Sequence, residues 1–118
     1  MIRRENYEIV DGLAGGRGPA LVCHVVGKEE LFGHGSLYAR VILPPGSSIG
    51  YHQHVRDTEP YYILKGHGTF IEADHSRHPV GPGDVCLIQV GEYHALENTG
   101  DEDLELMALI YNAPGVSC

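Results

Sequence analysis

The 118-residue sequence predicts an all-β fold, and three observations carry that prediction. Short apolar and β-branched runs recur between turns rich in Gly, Pro, Asn and Asp, the pattern of a sandwich or barrel of short strands. No segment sustains a 3.6-residue apolar period over three turns, so helix is scarce. The strand signal is strongest at Leu37–Leu43 (Leu-Tyr-Ala-Arg-Val-Ile-Leu), where Pro44-Pro45-Gly46 stops it.

Taken in order, Met1–Asp11 alternates loosely through Tyr7 and Ile9 and is expected as a peripheral strand. Gly12–Pro19 is loop by composition, with four glycines and a proline. Leu21–Val26 reads as a short strand and Lys28–Gly35 as a polar connection, so residues 1–35 supply peripheral strands and a loop. Beyond Gly46 the punctuation is regular. Strands are expected at Tyr61–Leu64, Thr69–Glu72, Arg77–Val80, Val85–Val90, His94–Glu97 and Leu104–Tyr111. Turns separate them at Lys65–Gly68, Ala73–Ser76, Gly81–Asp84, Gly91–Glu92 and Asn98–Asp103. There is no internal repeat, coiled coil or low-complexity tract.

The length suits one domain spanning residues 1–118, with no room for a second core. Sixteen acidic against eight basic residues give a formal net charge of −8, and only Arg3-Arg4 forms a basic cluster. A surface that tracks phosphates needs clustered Lys and Arg, so neither nucleic acid nor an anionic membrane is expected as a partner. Cys23, Cys86 and Cys118 are odd in number and lack CxxC spacing, which argues against a disulfide framework or a zinc ribbon. Cys118 is expected to be exposed. The apolar run Ala20–Val26 is broken by His24, too short to span a membrane and poorly flanked for a signal peptide. The expected location is the cytoplasm.

Chemistry concentrates between Gly46 and Gly66. His52 and His54 are two residues apart, so on a β-strand their side chains share a face. Val55–Thr58 allows the chain to turn back, bringing Glu59 onto a neighbouring strand beside the imidazoles. Two imidazoles and a carboxylate form a mixed nitrogen and oxygen set for a divalent first-row metal. His94, on a strand far along the chain, can join them only if the sheets close over one another.

These residues resemble the cupins. Gly46, five residues, His52-x-His54, four residues, Glu59, six residues and Gly66 reproduce the first cupin motif at every spacing. Gly83, Gly91, His94 and Asn98 reproduce the second, with Gln89 standing where that motif has Pro. The resemblance implies a double-stranded β-helix, a jelly-roll barrel with motif one at 46–66 and motif two at 83–98. It further implies that His52, His54, Glu59 and His94 ligate one divalent ion per chain, leaving one or two positions for water or substrate. Manganese or iron is favoured, and zinc or nickel would be accepted. Small cupins commonly dimerise, often by exchanging N-terminal strands, so a homodimer is expected with Met1–Val26 as the exchanging segment.

Alternation extends the candidate list. Tyr61 and Ile63 should point into the barrel with Glu59, making the Tyr61 phenol a candidate near the metal, although such a Tyr also simply fills space. Arg40 is a candidate anion anchor if its face of Leu37–Leu43 is interior; the opposite register, with Leu37, Ala39, Val41 and Leu43 inside, suits a packed core better. Tyr51 and Gln53 should face away from the metal. His24, His34, His67, His75 and His78 have no ligand spacing.

The expected function is that of a metal-dependent enzyme on a small polar substrate such as an organic acid, a keto acid or diol, or a sugar derivative. Its chemistry would be dioxygenase-, decarboxylase- or isomerase-like, with metal-bound water as the reacting group. The alternative is a non-catalytic small-ligand sensor or binding barrel. An oxalate decarboxylase carries an arginine three residues after the leading glycine of motif one; Ile49 stands there and argues against that reaction.

Overall fold

The computed structural model describes residues 1–115, so the expectation for Cys118 lies outside the described residues. The strands are β1 (Glu8–Asp11), β2 (Pro19–Val26), β3 (Gly35–Leu43), β4 (Ser48–Gln53), β5 (Asp57–Thr58) and β6 (Tyr61–Lys65). They continue as β7 (Gly68–Ile71), β8 (Arg77–Val80), β9 (Val85–Cys86), β10 (Tyr93–Glu97) and β11 (Leu104–Asn112). Two single 3-10 turns, Leu13–Gly15 and Lys28–Leu31, lie in the segments expected as loop and connection. No helix among the described residues is long and apolar enough to cross a membrane.

The strands form two antiparallel sheets. The larger runs β1-β2-β3-β11-β6-β9, with β5 also pairing β11, and the smaller runs β4-β10-β7-β8. Facing sheets with strands that cross between them form the expected jelly-roll barrel. Each sheet turns an apolar face inward by simple alternation. On β3 the inner residues are Leu37, Ala39, Val41 and Leu43, opposite Ile110, Ala108, Leu106 and Leu104 of β11. On β6 they are Tyr61 and Ile63, neither of which is accessible to solvent. Leu96 of β10 pairs Phe70 of β7 across the smaller sheet, and both belong to the same buried cluster.

This is the register that suits a packed core, and it removes the conditional candidate Arg40 from the site. Arg40 lies on the outer face, where Nη2 donates to Glu105 Oε1 at 2.6 Å and Nη1 to Glu5 Oε2 at 3.5 Å. Burying Ala39, Val41 and Leu43 forces the intervening residues outward, so Arg40 anchors nothing inside the barrel. The strand expected over Val85–Val90 also stops early, at Cys86. After β9 the chain leaves the larger sheet to reach β10 in the smaller one, and over that crossing it has no ladder partner in either.

Two local devices shape the site. Pairing of β4 with β10 slips between His94↔His52 and Leu96↔Ile49, so three residue steps on β4 match two on β10. This β-bulge puts Ile49 and His52, three apart, on the same inner face. Gly50, inside the bulge, is packed by the 3-10 turn: a Cβ there would collide with the carbonyl oxygen of Ala14 and the amide of Gly16. The residues between β9 and β10 form the second device. Gly91 adopts φ +91° and donates its N–H to the His54 carbonyl at 2.6 Å, while the His54 N–H donates to Glu92 O at 3.1 Å. This turn therefore holds the start of β10 beside His54. Gln89 replaces the proline of the motif, yet its N–H donates to Glu92 Oε1 at 2.6 Å, a bond no proline could make. A hydrogen bond stands in for ring stiffness.

Candidate metal centre

His52, His54, Glu59 and His94 converge inside the barrel. His52 is in β4, His54 is the next residue but one beyond it, and His94 is directly opposite His52 on β10. Glu59 differs from expectation. It sits in the two-residue link between β5 and β6, both strands of the larger sheet, so the carboxylate faces the imidazoles from across the barrel. Pro60 cannot donate to a ladder, which helps to break the strand there and free Glu59 to turn inward.

The four donor atoms are the Nε2 atoms of the histidines and Oε1 of Glu59. Their separations are 3.0 Å for His52–His54, 3.1 Å for His54–His94 and 3.2 Å for His94–His52. Glu59 Oε1 lies 3.4, 3.0 and 3.1 Å from His52, His54 and His94 respectively. Four atoms so spaced make a near-regular tetrahedron whose centre is about 2 Å from each, comparable with bonds of ~2.0–2.2 Å from nitrogen or oxygen to zinc. Three imidazole lone pairs turned on one point repel unless a cation sits among them. The donor chemistry thus fits a divalent first-row ion.

Neighbouring groups aim these lone pairs. His52 Nδ1 is 2.6 Å from the Gly50 carbonyl, which only accepts, so the neutral ring carries its proton there and presents Nε2 to the site. His54 Nδ1 donates likewise to Asp57 Oδ1 at 2.7 Å. His94 Nδ1 is buried with no partner among the described residues; its ring is instead held by stacking on Tyr61 at 4.8 Å and by the edge contact with Phe70. Tyr61 donates its hydroxyl to Glu59 Oε1 at 3.1 Å. Asp57 went unnoticed in the sequence, where the usable signal was a carboxylate three residues after a candidate ligand in a turn.

Burial would push the Glu59 carboxyl up, but the three histidines around it, which donate to it whenever Nε2 carries a proton, outweigh burial and hold the group well below the usual carboxylate range in the absence of an ion. Burial pulls His94 down, more than Glu59 raises it, so its ring stays neutral. His54 is also pulled down by burial, yet the Glu59 and Asp57 carboxylates together raise it above the ordinary histidine value. Burial, aided by the Glu59 charge, pushes the Tyr61 phenol well up and keeps it a neutral donor.

A cavity of about 240 Å³ opens on one side of this cluster. His52, His54 and Glu59 form its polar end, while His94 and Tyr61 do not line it and close the site from behind. The rest of its wall is apolar: Val22, Leu37, Val41, Ile49, Ala108 and Ile110, with Leu13 and Ala14 of the 3-10 turn. Tyr51 and Gln53 point outward, as alternation requires; Tyr51 stacks on His75 and Tyr93. The remaining histidines are dispersed: His24 meets Glu8, His78 meets Glu72, and His34 and His67 are exposed.

Comparison with known proteins agrees with this architecture. A family model described as "Cupin domain" matches residues 39–110. An oxalate-binding protein of Thermotoga maritima is 43% identical over 103 residues, 87% of this chain and 84% of its own length. The crystal structure of a predicted oxalate decarboxylase from Thermotoga maritima has a TM-score of 0.90 at 40% identity, covering 96% of this chain and 100% of that one. The polyketide cyclase RemF of Streptomyces resistomycificus shares the fold, with a TM-score of 0.76 at 19% identity over 99% of this chain and 84% of that one.

Proposed function

The chain belongs to the cupin family, and from that premise we propose that it binds a divalent metal through His52, His54, Glu59 and His94 and captures a small organic acid at that metal. The observation that carries the reading is the placement of the donor cluster at the end of a cavity with an otherwise apolar wall. One ion per chain is proposed, manganese or iron first, with zinc or nickel also acceptable to this donor set. Bound there, the ion supplies a Lewis acid for an oxygen ligand. The chain's own residues do the rest. Gly50 O and Asp57 orient the two front imidazoles, Tyr61 steadies Glu59 from behind, and the apolar wall keeps water from competing.

The name of the Thermotoga relative supports a small acid as the ligand class. Capture has more support than turnover. Decarboxylation requires a proton for the carbon that loses carbon dioxide, and among the described residues the cavity wall offers no proton-carrying side chain beyond the proposed ligands. Tyr61, the one candidate nearby, sits behind the donor atoms. Arg40 is committed outside the barrel. Metal-dependent turnover, in which bound water is the only reacting group, is therefore the second reading, favoured by a cavity that admits ligand on the open side of the donors.

The test is calorimetric titration of small acids, oxalate and pyruvate among them, into metal-loaded and metal-stripped protein. Binding only by the loaded form is expected; no binding to a verified loaded form would defeat the reading. Product analysis in the same samples separates capture from turnover. A homodimer is proposed as well, because Tyr38, Tyr62, Val85 and Leu87 are exposed on or beside the larger sheet. In this chain β1 pairs with its own β2, so strand exchange is not needed to complete the sheet. Sedimentation as a monomer would refute the dimer.

A further inference from the structure

The cavity wall says which small acid suits it. Among the described residues, no Lys or Arg lines the cavity, and Glu59 is its only acidic side chain. A divalent ion brings two positive charges, Glu59 removes one, and neutral imidazoles remove none, so a single positive charge is left. One carboxylate cancels it. A dianion leaves a surplus negative charge facing Val22, Val41, Ile49 and Ile110, none of which can donate a hydrogen bond to it. The outer face is no remedy, since Arg40 is held there by Glu105.

Size points the same way. At about 240 Å³ the cavity lies just under the usual range of small-molecule sites, ~300–1,000 Å³, so only a short ligand fits. Ala108, on β11 opposite Ala39, leaves room that a larger residue would fill. Leu13 and Ala14 reach the wall because Gly50 lets the 3-10 turn press against β4. The wall is thus built to meet a hydrocarbon, with polarity confined to one end.

Resting on the proposed capture of a small acid at the metal, we infer that the wall selects a monocarboxylate with a short branched aliphatic tail, of the 2-oxo or 2-hydroxy acid class, over a dicarboxylate. The carboxylate and its neighbouring oxygen take the charged end, and the tail lies against Leu37, Val41 and Ile110. Each buried methylene adds to the affinity, whereas a second carboxylate subtracts from it.

The experiment uses the full metal-loaded chain, with metal content verified, and titrates oxalate, pyruvate and 4-methyl-2-oxopentanoate in parallel. The branched acid is expected to bind at least about tenfold more tightly than pyruvate, from the extra carbons buried, and more tightly than oxalate. Ile110→Arg, at a half-buried wall position, is expected to reverse the order in favour of oxalate; Leu37→Lys, also half-buried, serves if that variant fails to fold. If oxalate binds most tightly to the unmodified chain, or tail length makes no difference, the selectivity is refuted while capture of a small acid stands. If none of the three binds, the proposed function itself fails.

Discussion

Asp57 offers a direct probe of how the donor cluster is held. Its Oδ1 accepts from His54 Nδ1 at 2.7 Å, and His54 is the ligand candidate whose Nε2 stands close to all three other donors. The bond fixes both the tautomer and the ring plane. Without it the His54 proton is free to move to Nε2, which then cannot ligate. Removing such an outer partner typically lowers metal affinity 10- to 100-fold, or about 1.4–2.8 kcal/mol. Asp57→Asn keeps an acceptor and loses the charge, so about tenfold is expected; Asp57→Ala loses both and should approach a hundredfold. Asp57 is partly exposed in a two-residue strand, so the fold should tolerate either change. Competition against a chromophoric chelator at pH 8 reads the affinity directly. Affinities equal to that of the unmodified chain in both variants would refute the orienting role.

The remaining predictions concern the same cluster. Tyr61→Phe keeps the ring stacked on His94 and removes one donor from Glu59, so a stability loss of about 0.5–1.5 kcal/mol with metal stoichiometry unchanged is expected in urea denaturation; loss of the metal would make Tyr61 a ligand. Metal-free protein should be most stable near pH ~6.5, from three shifts whose signs differ. His94 is lowered, so its contribution is present above the unfolded value and fades as pH falls. Glu59 is lowered too and adds a further loss in stronger acid. His54 is raised, so its contribution is full below the unfolded value and fades as pH rises through the folded one. Denaturation with chelator present at pH 5, 6.5 and 8 checks this, and a steady rise from 5 to 8 would contradict it. Because metal must displace the His54 proton, affinity should weaken about tenfold per pH unit below that raised value.

Much of this was legible in the sequence because glycine spacing and ligand spacing are local. Alternation along Leu37–Leu43 placed Val41 inside, and the same alternation put Tyr61 and Ile63 there. What alternation missed came from interactions between distant segments. The bulge at Gly50 depends on the register of β4 against β10 and on packing by the Leu13–Gly15 turn, neither visible in motif one alone. Glu59 was expected on an adjacent strand, yet it reaches the histidines from the opposite sheet, because β5 and β6 pair β11 rather than β4. Val85–Val90 has strand composition throughout, but only Val85 and Cys86 find a partner. Propensity does not make a strand where the chain is crossing between sheets. Arg40 shows the converse: its chemistry suited an anion site, and the burial of its neighbours decided its direction.

The claim on which the rest depends is that the four donors hold an ion, and metal analysis tests it most directly. Protein purified without chelating resin or added metal is assayed by plasma emission beside His52→Ala, which removes the most exposed of the four proposed ligands and so disturbs packing least. One equivalent per chain in the unmodified protein and none in the folded variant is the predicted result. No metal in either, and no uptake when manganese, iron, zinc or nickel is offered, would contradict the account.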